Sequence, residues 1–163
     1  MSNTTILYPK IKSGDILVWN DSFKGQSKYG ALIRLLTASD FTHVGIALNR
    51  EGTIYSAEAN VPVIRTVMVQ PNDRLYYIPT PVYHDSVGQK FIDDTKGLKY
   101  SYLDAVRSLF GIVNNKNDKW QCAEYVIDYL KLYGHDLGKS YTPSKLVRAA
   151  MHEFRTPLVP YYS

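Results

Sequence analysis

At 163 residues the chain has the size of one domain and can enclose a core without disulfide or metal staples. With 45% hydrophobic and 21% charged residues it is neither fibrous nor disordered in composition, and its 14 tyrosines are the one marked excess. The net charge of +4 is scattered among acids, and clusters such as Lys96 to Lys99 are too short to track a phosphate backbone, so nucleic-acid binding is not expected.

Residues 1 to 12 contain no charged segment followed by an apolar one, and no run reaches the roughly 20 apolar residues of a membrane span. The expectation is a cytoplasmic protein as synthesised, without a signal peptide or transmembrane segment, for which release or delivery would need another route. Ser13-Gly14-Asp15 reads as a turn before a short buried strand, Ile16 to Trp19. Tyr29, Leu32, Ile33 and Leu36 then recur at helical spacing, which predicts a connecting helix over residues 27 to 37. Phe41 to Leu48 is the next strand, and Asn49-Arg50-Glu51-Gly52 is a hairpin-like connection into Thr53 to Ala59. Val63 to Val69 and Arg74 to Pro79 are further extended runs, and together these segments predict an antiparallel meander of four or five strands.

Beyond Pro81 the pattern turns helical. Helices are predicted over His84 to Thr95, closed by Lys96-Gly97, and over Tyr102 to Phe110. The clearest amphipathic segment is Lys119 to Tyr133, where Cys122, Tyr125, Val126, Tyr129, Leu130 and Tyr133 form one stripe. Asp118 suits its N-cap, Gln121 completes a capping-box spacing, and Gly134 suits its C-terminal stop. Thr142-Pro143 opens a last helix that runs to about Glu153, with proline pre-set for the first helical position. The expected fold class is α+β: an antiparallel sheet of four to six strands packed against a helix carrying the cysteine. It forms a single domain over 1–163 with its core over about 13–153.

Cys122 is the only cysteine, so no internal disulfide is available to it. Near a helix start, unpaired amides and the helix dipole favour its thiolate form. A thiol nucleophile also needs a proton partner, for which His43, between apolar strand residues, is the candidate. Along Ile54-Tyr55-Ser56-Ala57-Glu58 the alternating side Ile54, Ser56, Glu58 brings a carboxylate beside His43 on the neighbouring strand, where it can orient the imidazole. The bland readings stand beside these. A lone cysteine on an apolar stripe is often a small buried hydrophobe, His43 fits a hydrogen-bonded strand histidine, and Glu58 fits a surface charge. Tyr100 and Trp120 are candidate substrate-cleft residues that packing explains as well. His84, His135 and His152 lack metal-ligand spacing and the glycines lack a phosphate-cradling pattern, so neither a metal nor another cofactor is expected.

Gly14-Asp15-Ile16-Leu17, Thr42-His43-Val44-Gly45-Ile46, Ala57-Glu58-Ala59 and Trp120-Gln121-Cys122-Ala123-Glu124 come in an order that resembles the circularly permuted NlpC-type papain-like superfamily, in its YiiX/YaeF-like branch. The lecithin retinol acyltransferase-like enzymes share that permuted order, with the histidine strand before the cysteine helix. The resemblance implies a permuted papain-like fold, Cys122 as nucleophile, His43 as base, Glu58 as orienting acid and the Cys122 amide as an oxyanion donor. Ala123 departs from the pattern, because relatives often carry serine there. The implied activity is a cysteine hydrolase of peptidase or amidase type. It would cleave an amide bond, in a peptidoglycan-type peptide or another small amide, through a thioester. Lipid acyl transfer or thioester hydrolysis on the same triad, and a non-catalytic binding module, are the alternatives. The expected partner is accordingly a peptide, amide or lipid-like small substrate.

Overall fold

The computed structural model describes residues 10–20, 41–72, 74–99, 121–139 and 142–161. Six strands form one antiparallel sheet: β1 (Ile16–Trp19), β2 (His43–Arg50), β3 (Thr53–Ala59), β4 (Ile64–Met68), β5 (Leu75–Ile78) and β6 (Val159–Pro160). Their spatial order is β4-β3-β2-β1-β5-β6. The expected meander therefore holds over four strands, β1 to β4, and breaks at β5. β5 crosses back to pair with β1, Ile16 opposite Ile78 and Trp19 opposite Leu75, and so encloses the short first strand.

The composition of β1 explains its interior place. Ile16 and Val18 join one hydrophobic cluster while Leu17 joins another, so a strand with no polar residue is covered on both faces. The hairpin joining β2 to β3 turns at Glu51 and Gly52, whose φ angles of 52° and 88° are those of a tight primed turn. Asn49 steadies it, its side-chain oxygen accepting from the Gly52 amide at 2.9 Å. β6 was not expected from sequence. Its two residues pair with Tyr76 and Tyr77 at the sheet edge, where Pro160 interrupts no interior ladder.

Three helices follow among the described residues: α1 (Ser86–Thr95), α2 (Cys122–Lys131) and α3 (Pro143–Phe154). α1 starts two residues later than expected because the Asp85 carboxylate accepts from the amides of Val87 and Gly88 and caps it there. α3 begins as read, with Thr142 as N-cap and Pro143 in its first turn. α2 corrects the sequence reading. It starts at Cys122 rather than Lys119, its N-cap is Gln121 rather than Asp118, and no side chain caps it. The stripe of Cys122, Tyr125, Val126, Tyr129 and Leu130 is buried as periodicity required, and α2 packs on β2 and β3. The helices predicted over 27–37 and 102–110 lie outside the described residues. Among the described residues no helix is long and apolar enough to cross a membrane.

Candidate active site

The antiparallel order brings the end of β1, the start of β2, the end of β3 and the start of β4 to one end of the sheet. Trp19, His43, Glu58 and Arg65 stand there. Continuing the Ile46–Ala57 register places His43 diagonally from Glu58, close enough for side chains on one face to meet. The His43 Nε2 lies 2.9 Å from the Glu58 Oε2. The Cys122 sulfur acts on the same imidazole, among the groups that raise its pKa.

Cys122 is the first residue of α2 and 6% exposed. Amide N–H groups in the first turn of a helix have no intrahelical partner and present partial positive charge to a group placed there. The later helix start thus sets the thiol closer to the helix terminus than sequence reasoning expected.

Glu58 is 3% exposed, and its carboxylate is satisfied on both oxygens. Oε2 accepts from the Ser56 hydroxyl at 3.3 Å as well as facing His43. Oε1 accepts from the Asn60 amide at 3.1 Å and from the Arg65 Nε and Nη2 at 3.1 and 3.0 Å. Burial by itself would push Glu58 up, but the His43 charge and these donors hold it down at about 2. Burial would likewise push His43 down. The Glu58 carboxylate and the Cys122 sulfur outweigh that effect and push it up to about 10. A protonated imidazole beside the carboxylate follows at neutral pH.

Sequence reasoning missed three contributors. Arg65 stands directly opposite Glu58 in the β3–β4 register, which no local pattern reveals before the strands are paired. Trp19 is the cross-strand partner of His43, and the two ring centroids are 5.1 Å apart. Gly45 lets β3 approach closely beside Glu58: a β-carbon there would collide with the Ser56 hydroxyl and come within 3.4 Å of the Glu58 β-carbon. The glycine in Thr42-His43-Val44-Gly45-Ile46 was the available signal. Trp120 and Tyr100, the expected cleft residues, lie outside the described residues. No group of three or more His, Cys, Asp or Glu side chains among the described residues is arranged to hold a metal ion.

An α+β protein with a hydrogen-bonded histidine and buried glutamate at one end of an antiparallel sheet, and a cysteine at the start of a helix packed on that sheet, is the class that the fold and the site define. No protein-family model and no curated protein sequence matches the chain. Among solved structures, metalloprotein YiiX from Escherichia coli O157:H7 (DUF1105) superposes with a TM-score of 0.56 at 17% identity, over 93% of this chain and 89% of that one. The two share a fold, and this neighbour is from the branch whose motif order the sequence resembles.

Proposed function

We propose that the chain is a thiol hydrolase that cleaves an amide bond with Cys122 as nucleophile, His43 as proton carrier and Glu58 as orienting acid. The observation that carries this reading is a single imidazole hydrogen-bonded to a buried carboxylate, with the sulfur of a cysteine at a helix start among the groups that raise its pKa. In the first step the thiol proton resides on His43 and Sγ attacks the substrate carbonyl carbon, forming the S–C bond. The Cys122 amide is placed to donate to the oxygen that gains charge. As the C–N bond breaks, His43 passes its proton to the leaving nitrogen. A water molecule then gives a proton to His43 and adds to the thioester. The C–S bond breaks and the proton returns to Cys122. Glu58 holds the imidazole in one orientation and stabilises its cationic form throughout.

A permuted papain-like architecture is supported by the strand-then-helix order of His43 and Cys122 and by the YiiX-like fold. YiiX is described as a metalloprotein, but the described residues here do not fit a metal centre. Both Glu58 oxygens are engaged by protein donors, and no other grouping of ligands is present among the described residues.

The rate of Cys122 alkylation by iodoacetamide between pH 5 and 8 tests the pairing. An imidazole-activated thiol reacts already at pH 5 to 6, and His43→Ala shifts that reactivity to higher pH. A profile like that of an ordinary thiol, of pKa about 8.5, unchanged in His43→Ala, would overturn the reading.

A further inference from the structure

The carboxylate of Glu58 is divided between two tasks. Oε2 faces the imidazole, while Oε1 is held by Arg65 through Nε and Nη2 and by Asn60. Arg65 reaches it from β4, directly opposite in the ladder, with its own side chain 45% exposed. Arg65 on that side does two things, the second of which a neutral donor cannot do. It fixes which oxygen is left for His43, and it shares the negative charge that would otherwise act on the imidazole alone.

Resting on the thiol-hydrolase reading, we infer that Arg65 is a positioning residue for His43: acting through Glu58, it aims the imidazole and keeps its proton transferable. A carboxylate paired with histidine alone grips the imidazolium proton, which favours thiol activation but opposes delivery of that proton to the leaving nitrogen. Arg65 moderates this grip from the far oxygen. Asn60 adds a third donor to the same oxygen without charge, and Ser56 holds Oε2 beside the histidine. Among the described residues, the charged and titratable groups facing His43 are Glu58 from β3 and Cys122 from α2. β1 contributes only the Trp19 ring. Arg65 is the cation that acts on this set from outside it.

The test is the titration of the His43 imidazole, followed by nuclear magnetic resonance in the full chain, in wild type and in three variants of Arg65. Arg65→Ala and Arg65→Gln remove the charge, and Gln keeps a hydrogen-bond donor should Ala compromise folding. Both are expected to raise the His43 midpoint by about half a pH unit or more, as loss of a nearby like charge does. Arg65→Lys, which retains the charge, is expected to stay near wild type. A midpoint unchanged or lowered in folded Arg65→Gln would overturn the inference. The iodoacetamide profile of the same variants separates this failure from that of the hydrolase reading. Cys122 reactivity that depends on His43 but not on Arg65 refutes only the role of Arg65, whereas reactivity independent of His43 refutes the hydrolase reading itself.

Discussion

His43 and Glu58 link the chemistry of the site to the stability of the fold, because each holds its charged form more firmly in the native state than in the unfolded chain. Glu58 is held at about 2 against 4.5 for a free side chain, so the native state binds fewer protons there and stability is lost as pH falls from about 4.5 towards 2. His43 is raised to about 10 from 6.5, so its contribution is fully present below pH 6.5 and is lost as pH rises towards 10. Urea unfolding at pH 3, 6 and 9 should therefore give the highest midpoint at pH 6. His43→Ala should flatten the alkaline limb and reduce the acid one, since Glu58 would lose its largest favourable partner. A wild-type midpoint that rises from pH 6 to pH 9 would contradict the assigned charge states.

Two elements determine whether these side chains meet. β2 must pass close to β3, which it does at Gly45, and α2 must begin at Cys122, which it does without a side-chain cap. A methyl group at position 45 has no empty space to enter: besides the Ser56 hydroxyl it would lie 3.2 Å from the Ala57 carbonyl, which belongs to the sheet backbone. Gly45→Ala is expected to cost about 1–3 kcal/mol of stability through overpacking. It should also loosen the His43–Glu58 contact, seen as a lower imidazole titration midpoint. Thermal unfolding and the same resonance measurement check both, and a variant as stable as wild type would show that the two strands have room to part. The late start of α2 has a related logic. The buried stripe beginning at Cys122 anchors the helix on β2 and β3, and packing of that apolar face outweighs the local capping preference of Asp118 and Gln121.

Across the whole molecule, β1 is the strand around which the sheet is assembled, and Asp15 just before it is the polar staple. This carboxylate is 1% exposed, accepts from the Lys12 amide at 2.9 Å and from the Thr80 amide at 3.0 Å, and so ties the entry of β1 to the exit of β5. Asp15→Asn must turn a donor group towards one of these two amides, leaving it unsatisfied in the interior. The expected cost is about 1–3 kcal/mol, read from the urea midpoint, and no change would remove Asp15 from the account of how β5 is held. Residues 13 to 15 were legible in sequence as a turn, but this role was not, because Thr80 is 65 positions away. The same division runs through the protein. Period-two and period-three-to-four patterning located β1 to β5, α1 to α3 and the triad candidates Cys122, His43 and Glu58, since those signals lie within a few residues of one another. Alternation along Ile54, Ser56 and Glu58 even indicated which carboxylate faces the histidine. Only the tertiary structure decided that β5 pairs with β1, that α2 starts at Cys122, and that Arg65, Trp19 and Gly45 frame the site. Strand order, register and helix ends are settled by burying both faces of the sheet at once, a competition among distant segments that no local stretch of sequence contains.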